Sequence, residues 1–212
     1  MPGFFQPAGE VKEIRPFEEF PVPFPQGTLS GVVSTDELAA VLFVHYFISR
    51  ALSMGRVYVL GPGRTVSPKI LSTLGADASN VLVGSVYSPE ELLSALSLVE
   101  DGAPVLISGL SLLDSSPMNI VEVRRVVDNK GLIGVLHNSP IVFNELDHPN
   151  EFTRLFKLPE LFDSLIVLRT SSYRGHYRLN MTVFKAPPDL VALLGDHSIP
   201  VDSVVKPLLG KS

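Results

Sequence analysis

From Gly27 to Lys185, apolar runs of strand length alternate with segments of helical pattern, and that alternation leaves few folds open to the chain. The runs cover residues 28–33, 56–61, 80–86, 104–110, 131–137, 164–170 and 176–185. Most are almost continuously apolar, the pattern of strands covered on both faces. Strand–helix–strand connections within one sheet cross over right-handed and produce a parallel sheet. Only Ser171-Ser172-Tyr173-Arg174-Gly175 separates the last two runs, which is too short for a crossover and predicts an antiparallel hairpin at a sheet edge. The expected architecture is a single α/β domain with a mostly parallel central sheet, flanking helices and an antiparallel C-terminal edge hairpin.

Helix starts are marked locally. Ser34-x-x-Glu37 and Ser88-Pro89-Glu90-Glu91 both read as capping boxes, the second with proline at the first helical position. A helix is expected over 118–129 with Gly131 as its C-terminal cap, and a last short one between Pro188 and Gly195. Residues 1–26 are rich in proline and phenylalanine and are expected to run extended over the domain or over a partner. The domain core is expected at 27–195, with 196–212 as a C-terminal tail.

Composition narrows the function classes. A net charge of −5 argues against a protein held to nucleic acid by bulk electrostatics. The absence of cysteine excludes disulfides and thiolate metal sites and suits a reducing compartment, expected to be the cytoplasm. No signal-peptide order is visible at the N-terminus, and His45, Ser49 and Arg50 interrupt the apolar segment 38–52, which is expected to be a buried core helix rather than a membrane span.

The histidines (His45, His137, His148, His176, His197) lack metal spacing, so no metal and no cofactor are expected. His45 reads as a hydrogen-bonded core residue. His137-Asn138 ends a parallel strand, where ligands of open α/β sheets gather, and a structural polar contact is the reading preferred there. Ser139, Asp147 and His148 supply the groups of a hydrolase triad, but no Gly-x-Ser-x-Gly elbow accompanies them. Gly61-Pro62-Gly63-Arg64-Thr65 lacks the lysine of a phosphate loop and is expected to be a strand-to-helix turn.

Segment 169–185 carries Arg169, Arg174, His176, Arg178 and Lys185 with Tyr173 and Tyr177 interleaved and no acid. Basic and aromatic side chains together suit single-stranded DNA or RNA. A subunit contact and a merely solvated edge are the other readings. Residues 139–160 carry Glu145, Asp147, Glu151 and Glu160 against Arg154 and Lys157, which weakens a DNA contact there.

The order of elements resembles the core of the RecA superfamily, above all archaeal RadA and the KaiC-like proteins, from about Gly27 to Pro187. Gly27-Thr28-Leu29 opens the first strand and Arg56-Val57-Tyr58-Val59-Leu60 forms the second; Ala103 to Leu113 is similar to a Walker B segment. Leu132 to Asn138 resembles the strand that ends in a polar sensor, and Leu161 to Lys185 the hairpin that ends in Lys-x-Arg. Phe5-Gln6-Pro7-Ala8 matches the Phe-x-x-Ala pattern of recombinase arms, which implies an arm contact through Phe5 and Ala8.

The departures fall on the positions where the resemblance implies catalysis. A phosphate loop points backbone N–H groups at phosphate, with a lysine and a Ser/Thr. Here that junction is only Ser34-Thr35-Asp36-Glu37, and its carboxylates would repel a triphosphate. Ser108 stands at the Walker B aspartate position, and Lys185-Ala186-Pro187 has lost the arginine of Lys-x-Arg. The resemblance then implies a RecA-like pseudo-ATPase, not an enzyme, whose degenerate nucleotide site is Ser34, Thr35, Asp36, Glu37 and Ser108. It implies self-association, or pairing with an active RecA-type ATPase, in recombination, repair or a related assembly. An RNA-associated scaffold like the RecA-like Elongator subunits and a divergent active ATP-binding enzyme are the alternatives.

Overall fold

A computed structural model describes residues 12–63, 65–113 and 116–208. In chain order the elements are β1 (Glu13–Ile14), β2 (Phe24–Pro25), β3 (Thr28–Ser34), α1 (Glu37–Ala51), β4 (Val57–Gly61), α2 (Pro68–Thr73), β5 (Val81–Ser85), α3 (Pro89–Ser97) and β6 (Pro104–Ser108). They continue with α4 (Pro117–Lys130), β7 (Ile133–Asn138), α5 (His148–Phe156), β8 (Ser164–Tyr173), β9 (His176–Lys185), β10 (Gly195–Pro200) and α6 (Asp202–Leu208).

Eight strands form one sheet in the order β10-β9-β8-β3-β7-β6-β4-β5. The six from β8 to β5 are parallel, and β9 and β10 extend the sheet antiparallel beyond β8. The expected α/β class, with its parallel centre and antiparallel C-terminal edge, is what the chain forms. All seven expected strands are present to within a few residues at their ends.

Two apolar layers sandwich the sheet. On one face, α1, α2 and α6 join the N-terminal segment, with Phe43, Phe47, Leu71 and Val205 buried among Val32, Val59 and Leu106. On the other, α3, α4 and α5 bury Leu92, Val123, Phe152 and Phe156 against Leu29, Val105 and Leu136. The strands between them are buried throughout, as in β6 and β7, which explains their continuous hydrophobicity.

The sequence reading set residues 1–26 apart as an arm and 196–212 as a tail. Among the described residues, 12–26 instead form a small hairpin (β1 with β2) and a lid on α1. Phe24 packs edge-on to Phe47 at 5.8 Å and lies 5.9 Å from Phe43, with Phe20 6.2 Å from Phe43. These contacts explain why α1 is apolar on nearly all sides: it lies between the sheet and a phenylalanine-rich cover. The helix Glu37–Met54 is long and apolar enough to cross a membrane by length and composition, yet it is a core helix of this domain. Phe5 and Ala8 lie outside the described residues.

At the other terminus, Gly195–Pro200 is a strand on β9, and α6 returns over the sheet and buries Val201 and Val205. The tail is thereby part of the domain, held by main-chain bonds to β9 and by its own apolar residues. The expected short helix after Pro188 is a 3-10 turn over Pro188–Leu193.

The Ser34 cap is the clearest local correction. β3 runs through Ser34, and the N-cap of α1 is Asp36, whose Oδ1 accepts the Ala39 N–H at 2.8 Å. The Ser88 expectation holds: its hydroxyl accepts the Glu91 N–H (3.2 Å), while the Glu91 carboxylate accepts the Tyr87 N–H (2.8 Å). Gly131 closes α4 with φ of 59°, the left-handed conformation that favours glycine at that cap.

Candidate functional site

The carboxyl ends of β3, β6 and β7 lie side by side because β7 pairs with both neighbours, His137 standing opposite Val32 on one side and Ser108 on the other. In open α/β sheets this is where ligands bind. Between these ends and the first turns of α1 lies a cavity of about 440 Å³. Its polar lining is Thr35, Asp36, Glu37, Ser108, His137 and Ser139, and Val41, Val44 and Ile141 supply an apolar wall. Four of the five residues of the degenerate nucleotide site, Thr35, Asp36, Glu37 and Ser108, therefore meet around one cavity. Ser34 is fully buried behind them.

The start of α1 is occupied by its own side chain. Besides capping Ala39, the Asp36 carboxylate accepts the Thr170 N–H at 2.6 Å and the Thr170 hydroxyl at 2.7 Å. One carboxylate thus serves the helix N-terminus and fastens it to β8. The Thr35 N–H, next in line, donates to Leu168 O at 2.9 Å. At the first turn of α1, the Ala39 N–H and the positive end of the helix dipole, which would attract a phosphate, are met by the Asp36 carboxylate.

Ser34 Oγ lies 2.9 Å from His137 Nε2, and the imidazole stacks on Phe43 with centroids 5.5 Å apart. Burial lowers the His137 pKa to about 4, so the ring is neutral at pH 7. Its Nδ1 is buried and has no hydrogen-bond partner among the described residues. The pair therefore lacks the carboxylate that a Ser–His–acid triad places on the second imidazole nitrogen. Asn138 is likewise engaged: its Oδ1 accepts the Ser111 N–H (3.2 Å) and hydroxyl (2.9 Å), and its Nδ2 donates to Leu155 O (3.4 Å). That clamps the loop after β6 to α5.

His45 occupies α1 as a structural residue. Its Nε2 accepts the Ser67 N–H at 2.9 Å, which makes Nδ1 the protonated nitrogen, donating to Val41 O at 2.8 Å. Burial lowers its pKa, in keeping with a neutral ring. The bond holds the segment after β4, which carries Thr65 at the cavity mouth. Residues 62–67 connect β4 to α2, and Gly61 is required there: a Cβ would meet Ser108 O at 2.5 Å.

The triad residues are not brought together. Ser139 lines the cavity on the α1 face, whereas His148 begins α5 and stacks on Phe184 at 4.3 Å on the opposite face of the sheet.

The basic hairpin is divided between two faces and tied down by internal partners. Arg169 pairs with Glu145 (3.0 Å), and Arg178 donates to the Ser198 hydroxyl and carbonyl of β10 (2.8 Å each). Lys185 Nζ donates to Glu160 O (2.7 Å), and His176 Nδ1 lies 3.0 Å from Asp202 Oδ2. Tyr177 packs toward the α1 and α6 layer. At the tip, the Arg174 guanidinium lies 5.0 Å from the centroid of the exposed Tyr173 ring.

No protein-family model matches the chain, and no curated protein matches it in sequence.

The sequence reading did not find the Asp36–Thr170 link or the Ser34–His137 pair. Both join residues more than a hundred positions apart, across strands whose adjacency appears only in the folded sheet. The one local signal was that Ser34-Thr35-Asp36-Glu37 offers two possible caps.

Proposed function

We propose that this chain is a RecA-type pseudo-ATPase, a non-catalytic protein that pairs with itself or with an active RecA-type ATPase and modulates recombination, repair or a related assembly in the cytoplasm. The observation that carries the reading is the Asp36 carboxylate, which takes the helix N-terminal N–H that a phosphate would need and adds its own charge there. The meeting of Ser108, Thr35 and Glu37 around the same cavity supports it, since these are the positions at which the resemblance asks for metal- and phosphate-binding groups. The element order that carries the resemblance to RadA and KaiC-like proteins is present in one sheet.

Calorimetry with ATP and magnesium tests it. The expected result is no binding at millimolar nucleotide. Micromolar binding that is lost in Thr35→Ala, on the cavity wall, would restore the reading as a divergent enzyme.

One observation favours a second reading. At the hairpin tip Tyr173 is 71% exposed beneath Arg174, an arrangement that stacks on single-stranded nucleic acid bases. That would suit an RNA-associated scaffold. Arg174→Ala should then abolish binding of a labelled single strand, and Arg178→Ala, whose guanidinium is held by Ser198, should affect it little. No affinity in the wild type, or affinity unchanged in Arg174→Ala, removes this reading.

A further inference from the structure

The two edges of the sheet are built differently. At one end β10 carries Asp196 and finishes in Pro200, devices that discourage pairing with another chain. At the other end β5 has neither, and among the described residues it pairs only with β4. From Val81 to Ser88 the chain reads Val-Leu-Val-Gly-Ser-Val-Tyr-Ser, without charge or proline. Leu82 is 42% and Val83 51% exposed although they point to opposite faces, so neither face of this strand is fully covered.

We propose that β5 is a dimerisation edge, and that its occupant is β5 of a second copy of this chain, antiparallel about a two-fold axis through Val83.

The backbone offers the right groups. Val86 N–H donates to Gly61 O, so by alternation Leu82 and Gly84 turn their main-chain groups toward β4 while Val81, Val83 and Ser85 turn theirs outward. A two-fold on Val83 sets Val83 against itself as a hydrogen-bonded pair and Val81 against Ser85. All the outward groups of both strands are then paired. On the other set of side chains, Leu82 comes opposite Gly84, the residue without a side chain. Leu60 Cδ2 fills the place of a Cβ there, 2.7 Å away, and gives the incoming leucine an apolar floor. Because the strand is uncharged, self-pairing brings no like charges together, which is the usual obstacle to an isologous contact. The occupant is thus argued from self-complementarity, and the inference does not rest on the pseudo-ATPase reading, which nucleotide binding alone decides.

Sedimentation velocity on the full chain tests it, with Val83→Lys, Val83→Glu and their equimolar mixture. The wild type should be dimeric. Each variant alone should raise the dimer dissociation constant at least tenfold, with a thermal melt matching the wild type's at a dilution where both are monomeric, because the site is exposed. Mixing the two should recover dimers, since only a contact of residue 83 with itself sets the lysine against the glutamate. If either variant melts early, Leu82→Arg on the opposite face of the strand gives the same loss of dimer. A monomeric wild type, a dimer that survives both charged variants, or a mixture that stays monomeric overturns the proposal.

Discussion

The carboxylate of Asp36 and the backbone N–H of Thr170 meet at 2.6 Å, joining the first turn of α1 to β8 across 134 positions of sequence. The same carboxylate caps Ala39, so a single side chain fixes where the helix starts and which strand it starts against.

Asp36→Ala should therefore cost more than an ordinary cap. Loss of the cap is worth about 1 kcal/mol, and the partly buried Thr170 N–H and hydroxyl left without an acceptor add about 1–2 kcal/mol. Thr170→Val should cost about 1 kcal/mol, and the double variant less than the two combined. Urea titrations of the three variants measure this.

Acid should destabilise the fold through His137 before the carboxylates protonate. Its folded pKa of about 4 lies below the ordinary histidine value of 6.5, so between those values the unfolded chain holds the extra proton. Stability present above pH 6.5 is therefore lost as pH falls toward 4, by about 2 kcal/mol at pH 5 relative to pH 7. His45, also lowered, acts in the same direction. His137→Phe, which keeps a ring against Phe43, should flatten this part of the profile in denaturation midpoints measured from pH 7 to pH 5.

Gly61→Ala should be severe. The added methyl would meet the Ser108 carbonyl oxygen at 2.5 Å, and backbone cannot yield as a side chain tip can. A loss of about 2–4 kcal/mol is expected, with β4 and β6 forced apart at the cavity. Thermal melts and the yield of folded protein check it, and Gly63→Ala, which meets nothing within 4 Å, is the control.

The two hairpin arginines should separate by stability. Arg178→Ala removes both bonds to Ser198 and should cost about 0.5–1 kcal/mol, with faster amide exchange along β10. Arg174→Ala should change stability by less than about 0.5 kcal/mol.

What was legible in the sequence followed burial. β6 and β7 are enclosed on both faces, so their residues had to be apolar and the strands stood out. β10 did not, because Gly-Asp-His-Ser-Ile-Pro is held by main-chain bonds to β9 and has no apolar face to announce it. No helix was expected at α5: Phe152, Leu155 and Phe156 form one helical stripe, but it spans only nine residues, with Pro149 in its first turn. The cap of α1 was misplaced by two residues because Ser34 extends β3 and turns inward to His137. At the candidate site, the sequence pointed to the β3–α1 junction and to Ser108, which line one cavity. It could not show that the carboxylate there has a partner on β8, since that contact exists only once β3 and β8 are neighbours.

The position of β3 also sets an order of events during synthesis. It precedes every other long strand of the described residues, yet its neighbours are β7 and β8, and Thr28 finds its place opposite Ile133. For most of translation the strand has no ladder to join, and α1 beside it holds its phenylalanines with only the N-terminal cover for shelter. The centre of the sheet closes late, from pairings distant in sequence, so folding should be slow for a chain of this length. The nascent protein should depend on holding chaperones far more than its finished form does.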